Sequence, residues 1–505
     1  MVTCLGVALL LCGCGSNNLM STHGDGGTGG TGGTGGGGGA GGGGGGGVSQ
    51  ACTNSSGSRL KANEYQTAEG YKVFINWHDT QRMEDCSFAP APDGTLRCIA
   101  PRVPITNTSI AYTTASCTGP IIAFTIPPCA SAPKYVSQPD TVNGCNSHVY
   151  NVGGKVTPTT IYLPSGTPGQ CNATAPNTAV VFYEMGAEVD YTQLVSATSA
   201  LTGSTRLQAH TLTASDGSAQ HCGPVYAQDF TVYDSMLTQD CALNYGADGS
   251  FHCLPTNVAT LSTTQYADAT CKQPIAVGNV CLAKMPTYVL KTEAQACNSF
   301  AGIHVLAVGA QQSSVYSQGA SCTATTITTP PYYSVGQEAT ASTFAQWTEM
   351  NVGSGRLVAQ EYATSDGFRQ FRGLFNDTMI GNSTCEIQFT SDQKLRCVPL
   401  DQTIDVVTYF SDQACSMPLH LVQIASPTAA CPGTKPSYAR FIDSSLCPTS
   451  WRYYQVGNQV TPNMVYSNKT GTCMQQTLDV TNFVYYSVGT EIDPNMFEVV
   501  SQLTE

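Results

Sequence analysis

Short alternations of apolar and polar residues pattern this chain. Between residues 59 and 186 they read RLKANEY, YKVFINW, CSFAP, LRCIA, SIAYTT, IIAFTI, HVYNVGG, TIYLP and VVFYEMG, with turn-forming residues between them. A period of two over runs this short predicts β-strands, and no segment sustains the 3.6-residue period of a helix. Strands following one another through tight turns predict antiparallel hairpins strung into a meander. The expected fold class is all-β, with helix scarce.

The pattern recurs along the chain. DCSFAPAPDGTLRC at 85–98 returns as DCALNYGADGSFHC at 240–253 and as TCEIQFTSDQKLRC at 384–397. Around it, six cysteines repeat three times: Cys86, Cys98, Cys117, Cys129, Cys145 and Cys171; Cys241, Cys253, Cys271, Cys281, Cys297 and Cys322; Cys385, Cys397, Cys415, Cys431, Cys447 and Cys473. Other landmarks keep step. Arg59-Leu60, Arg206-Leu207 and Arg356-Leu357 open the units, and Asp79-Thr80, Asp234-Ser235 and Asp377-Thr378 precede the first cysteine. YTTASCTGP, YADATCKQP and YFSDQACSMP surround the third cysteine; YEMGAE, YSVGQE and YSVGTE close each unit.

Three repeats of about 150 residues follow, at 51–200, 201–350 and 351–505. Asp93-Gly94 and Asp248-Gly249 predict hairpin turns, because glycine accepts positive φ and Asp caps the bend. Asp392-Gln393 replaces them in the third unit and predicts a turn of another type. The joints SATSALTGST at 196–205 and NVGSG at 351–355 are short and lack a Pro-rich spacer. Close packing is therefore favoured: a propeller-like toroid, two blades to a unit, over separate β-sandwich domains.

The N-terminus changes the picture from fold to address. MVTCLGVALLLCGC matches a bacterial lipobox, so residues 1–13 are expected to be a lipoprotein signal peptide and Cys14 the lipidated residue, although no Lys or Arg lies before the apolar run. Residues 24–47 hold 19 of the chain's 51 glycines. Such a segment has no side chains to bury, so 14–50 is expected to be the lipidated cysteine and a disordered tether. As a flexible coil it spans on the order of 30 Å. No apolar stretch long enough for a transmembrane helix follows it. The lipid would be the contact with the membrane, at the bacterial outer membrane or cell surface.

Of the 23 cysteines, 20 remain after Cys4, Cys12 and Cys14, an even number that reads as a disulfide framework in an exported protein. Six cysteines allow 15 connectivities; sequential pairing within each unit is the expectation, with Cys52 and Cys222 bridging the first two units. No cysteine pair has zinc-ligand spacing, so no metal and no cofactor is expected. A net charge of −13 without any Lys/Arg run argues against nucleic acid as a partner.

No nucleophile elbow, H-E-x-x-H, P-loop or EF-hand motif occurs, and no catalytic residue is assigned. Asp79, Asp234 and Asp377 recur, as do Glu188, Glu338 and Glu491. They are candidates for a carboxylate ring, or for scaffold residues paired with Arg59, Arg206 and Arg356. Trp77, Trp347 and Trp451 are candidates for a glycan- or protein-binding face, or for sheet core. The set RL…DG, D-T-x5-C with the downstream DG, and Y-x-D-x-x-C-x-x-P resembles cysteine-rich lipoproteins of myxobacteria whose function is unassigned. That resemblance implies an exported surface protein. The function expected is a non-catalytic binding or structural module of the cell envelope, with a propeller-type polysaccharide hydrolase or lyase as the alternative.

Overall fold

A computed structural model describes residues 54–505 apart from 107–108, 127–130, 141–146, 166, 168, 222–230, 280, 282–284, 294–301, 320, 328–330, 428–431, 444, 463 and 470–471. The expected signal segment, Cys14, the expected tether and Cys52–Cys222 bridge, and Cys129, Cys145, Cys297 and Cys431 lie outside the described residues. Within them the protein is all-β. The runs read as strands in the first unit are strands, and each unit divides into two halves.

The first halves form a closed barrel. Leu60–Gln66, Lys72–Asp79, Glu84–Pro90 and Leu96–Ile99 pair consecutively and antiparallel. The chain then leaves for the second half and returns as Ser196–Thr202. This strand pairs with Leu96–Ile99 behind it and with Leu207–Ala214 of the next unit ahead. Gln346–Val352 makes the same handover between Phe251–Pro255 and Leu357–Ala363. At the chain's end Glu498–Val499 pairs with Leu395–Pro399, and Ser501–Thr504 pairs with Leu60–Gln66. The last strand thus closes on the first. The units do pack on each other, but the expected toroid takes the form of a barrel hydrogen-bonded through every joint, whereas propeller blades meet by packing face to face.

The second halves are separate sheets of eight, seven and eight strands. They are not meanders. In the first unit the order runs Cys171–Thr174, Ile161–Pro164, Ile110–Tyr112, Pro120–Phe124, Val181–Glu188, Ser147–Val156, Tyr135–Pro139, Val103–Pro104. One parallel pair recurs in each: Val103 beside Val136, Val258 beside Tyr288, Thr403 beside Tyr438. The all-antiparallel expectation therefore holds for the barrel and fails in the outer sheets.

Each barrel third is built round a buried disulfide: Cys86–Cys98, Cys241–Cys253 and Cys385–Cys397. Beside each lies the leucine of the Arg-Leu pair, and the unit's own closing segment together with the next unit completes the core. Val195, Ala197 and Ala214 do so for the first, Ala345, Trp347 and Tyr362 for the second. Val500, Tyr71 and Val73 do so for the third, which brings the chain's end and the first unit together.

The other observed bridges correct the sequential pairing. The third cysteine joins the sixth: Cys117–Cys171, Cys271–Cys322 and Cys415–Cys473, separated by 54, 51 and 58 residues. Sheet order explains this. Cys171 starts an edge strand whose backbone N–H reaches the carbonyl of Ala115, in the turn that holds Cys117. Cys281 and Cys447 are disulfide-bonded as well. Stapled this densely, the protein is one exported to an oxidising compartment.

The third hairpin turn is a second correction. Gln393 has φ 61°, the left-handed conformation of Gly94 and Gly249 at 76° and 81°. Backbone hydrogen bonds match as well: Ala91 with Thr95, Gly246 with Ser250, Thr390 with Lys394. The turn type is kept without its glycine, at a strain that glycine avoids. The Gln393 amide compensates by donating to the Ser450 hydroxyl at 2.6 Å.

Candidate functional site

The recurring acids are scaffold. Arg59 grips Asp79 through Nε and Nη2, and Arg206–Asp234 and Arg356–Asp377 repeat the two-pronged contact. All three aspartates are buried. Each also caps the following turn by accepting backbone N–H groups, from Gln81 and Arg82, from Met236 and Leu237, and from Met379. Burial pushes the Asp79 carboxyl up, but the Arg59 hydrogen bonds and the turn N–H groups outweigh it and hold it below its ordinary value.

A second set of carboxylates locks the joints, and sequence reading passed over it. Asp216 of the second unit accepts the N–H groups of Arg59 and Leu60 at 3.1 and 2.6 Å. Asp366 of the third unit accepts that of Arg206 at 2.7 Å. Glu69 of the first unit accepts those of Arg356 and Leu357 at 3.1 and 2.9 Å. Each latch residue stands ten positions after its own unit's Arg: 59 and 69, 206 and 216, 356 and 366. That spacing was the available signal.

Glu188, Glu338 and Glu491 sit at strand ends in the outer sheets and face a basic side chain each: His148 at 2.6 Å, His304 at 2.5 Å and Arg452 at 3.0 Å. Trp77 and Trp347 are core residues, which removes them from a ligand face. Trp451 lies under the Arg440 guanidinium, 4.5 Å from its ring centre.

The junction between barrel and outer sheet departs from the threefold repeat in the first unit. In the second unit Arg206 also donates to the carbonyl of Thr343 at 2.5 Å, and in the third Arg356 donates to that of Met496. Thr343 and Met496 each end a single 3-10 turn, and Gln193 ends the matching turn of the first unit. Arg59 makes no such bond among the described residues. A cleft of about 360 Å³ opens there instead, lined by Arg59, Gln81, Arg82, Glu84, Lys134, Tyr135 and Gln193.

The residue three positions after the clamp aspartate accounts for the difference. It is Leu237 in the second unit and Ile380 in the third, each packed with an aromatic, Phe344 or Phe497. In the first unit it is Arg82. Its Nε donates to Glu84 at 2.6 Å and its Nη2 to the Tyr135 hydroxyl at 2.7 Å. Lys134 reaches the same carboxylate at 2.9 Å. Burial raises the Glu84 carboxyl, but Lys134, Arg82 and Tyr135 outweigh it and hold its pKa below the ordinary value, so Glu84 is ionised at neutral pH. Three cations, Arg59, Arg82 and Lys134, stand against two carboxylates, Asp79 and Glu84.

The sequence model of one protein family, described as a family of unknown function (DUF7481), matches residues 48–327 and again 317–502. The chain belongs to that family. No curated protein and no solved structure is similar to it. Within this DUF7481 chain the two matches run through the threefold repeat, which accords with the scaffold residues recurring. The cleft residue Arg82 does not recur, and a search confined to repeated residues misses it. Writing the three turns under one another, with Arg82 over Leu237 and Ile380, is the signal that finds it.

Proposed function

We propose that this protein is a lipid-anchored binding module displayed on the bacterial cell surface or outer membrane, attached through Cys14 and held off the bilayer by the glycine-rich segment up to residue 50. It resembles the cysteine-rich lipoproteins of myxobacteria in its lipobox, spacer and cysteine pattern. The observation that carries the binding role is a polar cleft, among the described residues, at which the first unit of a repeated, disulfide-stapled body departs from the other two. A disulfide-stapled frame that opens a polar cleft where its repeat is broken is suited to holding a ligand there.

The cleft chemistry favours binding over hydrolysis. A glycoside hydrolase needs a carboxylic acid that keeps its proton near neutral pH, opposite a second carboxylate. Glu84 is held ionised by its cationic neighbours, and Asp79 is clamped by Arg59 and the turn N–H groups. Neither is placed to donate a proton.

Membrane fractionation tests the attachment. The wild-type chain is expected to sediment with the envelope and partition into detergent, and the Cys14→Ala chain to be released in soluble form. Wild type that remains soluble and carries no lipid by mass would refute the anchor.

A further inference from the structure

We propose that the first-unit cleft is a binding site for the carboxylate of an acidic sugar, a hexuronate or a glycan ending in one. The inference rests on the reading of the protein as a binding module and names the ligand class its cleft selects.

The donors remaining in the cleft set the charge. Arg59 uses Nε and Nη2 on Asp79, and Arg82 uses them on Glu84 and Tyr135. Each guanidinium keeps its Nη1 without a side-chain or backbone acceptor among the described residues. Lys134 spends one of its three donors on Glu84, and its side chain is 65% exposed. The side chains that carry these donors line one cleft, whose cations outnumber its carboxylates by one in a chain whose net charge is −13. A carboxylate fits two guanidinium edges and an ammonium, and its one negative charge matches a surplus of one positive charge more closely than a phosphate's two.

The remaining lining indicates what the carboxylate is attached to. Gln81 and Gln193 place amides at the rim, and the Tyr135 hydroxyl already serves Arg82 and Glu84. Leu237 and Ile380 show that an apolar filling of this junction suits the same backbone, so the polar filling is particular to the first unit. An apolar acid gains little from such walls, whereas a ligand whose other groups are hydroxyls can pair with amides at every edge. About 360 Å³ accommodates one monosaccharide with its bound water.

The junction also explains why Arg59 is available. Its counterparts spend Nη2 on the carbonyls of Thr343 and Met496 as well as on their aspartates. Where Arg82 and Glu84 line the junction, that third contact is not made among the described residues, and Arg59 lines the cleft instead.

Calorimetric titration of the full exported chain with galacturonate, methyl galactoside and inorganic phosphate tests the site, with Arg82→Leu and Lys134→Gln as variants. Arg82→Leu installs the residue the second unit carries at this position, so folding is expected to survive, and an unchanged far-UV spectrum and melting midpoint check that it does. Galacturonate is expected to bind with a Kd of about 1 mM, the range of a few charge-assisted hydrogen bonds in a shallow site. Affinity is expected to fall about tenfold or more in Arg82→Leu, and by less in Lys134→Gln. The neutral galactoside should not compete. Three results would each overturn the proposal: no heat from galacturonate at about 20 mM, equal binding by phosphate or by the neutral sugar, or full affinity in a folded Arg82→Leu chain. Loss of the membrane anchor in the Cys14→Ala chain leaves all of these readouts unaffected, so the two readings fail separately.

Discussion

Two kinds of joint hold the barrel, built from the same parts and differing in what keeps them together. Between the first and second units, and between the second and third, one continuous strand belongs to both sides: Ser196–Thr202 and Gln346–Val352. Between the third and first, the corresponding work falls to the last residues of the chain, Glu498–Val499 and Ser501–Thr504. A carboxylate latch from the neighbouring unit is present at all three. The third joint carries additional contacts. Tyr71 packs with Phe375 in the third unit's core and donates its hydroxyl to the carbonyl of Val352 at 2.8 Å. Arg356 there also pairs with Glu498 at 3.0 Å. A joint without chain continuity must be closed against the entropy of a long loop, and side-chain contacts supply what the backbone does not.

The largest effect expected from breaking this comparison is deletion of residues 498–505. It removes both closing strands, the Glu498 partner of Arg356 and Val500 from the third core. Two barrel edges are then exposed, at Leu60–Gln66 and Leu395–Pro399. The truncated chain is expected to lose cooperative unfolding and to become susceptible to proteolysis within the first and third units, as followed by calorimetry and limited digestion. A melting profile like that of the intact chain would mean the terminal strands do not hold the ring.

A paired substitution sharpens the contrast. Gly203 and Gly353 occupy the same bend at two different joints, with φ of 110° and 103°. Around Gly203 nothing comes closer than 3.9 Å to an added Cβ, whereas at Gly353 the Tyr71 hydroxyl stands where the Cβ would go. Gly203→Ala therefore meets backbone strain alone, about 1 kcal/mol, and Gly353→Ala adds displacement of Tyr71, for about 3 kcal/mol in total. Denaturant unfolding of the two variants measures the difference, and equal losses would show that Tyr71 adjusts without consequence.

What the sequence discloses and what it hides divides along the same line between local and distant. The hairpins, the Arg–Asp clamps and the bridge between cysteines 12 apart can be read because their partners lie within one or two turns of chain. The joining of Cys117 to Cys171 cannot, because it depends on Ile161–Pro164 pairing with Ile110–Tyr112 and carrying the next strand to that edge. Gln393 misleads for a related reason: its preference for ordinary φ is overruled by a hairpin register already set by Cys385–Cys397 and by its bond to Ser450. The latch acids Glu69, Asp216 and Asp366 carry a visible period but act on another unit, so their role emerges only once the ring is closed. The cleft is hidden in the opposite way. Repetition draws attention to Asp79, Asp234 and Asp377, which are frame, while the residue that departs from repetition, Arg82, opens the site.

The smallest effect concerns the outer sheets, where one arrangement is built with a titrating cation in the second unit and a permanent one in the third. His304 stands between Glu338 and Glu293, at 2.5 and 2.6 Å, with Lys291 opposite it in the strand register. Arg452 stands between Glu491 and Asp443, at 3.0 and 2.8 Å. Hydrogen bonds to Glu338 first and Glu293 second hold the His304 imidazolium, so its pKa in the folded chain lies above the ordinary histidine value. Its contribution to stability is therefore fully present below about pH 6.5 and is lost as pH rises through the elevated value. His304→Gln should lower the melting midpoint at about pH 5.5 and leave it unchanged at about pH 9. Arg452→Gln should lower it equally at both, because a guanidinium stays charged throughout. Both clusters are partly solvent-exposed, so each shift should amount to about a degree or two. A His304→Gln effect that does not change with pH would show that packing, and not charge, is what the histidine supplies.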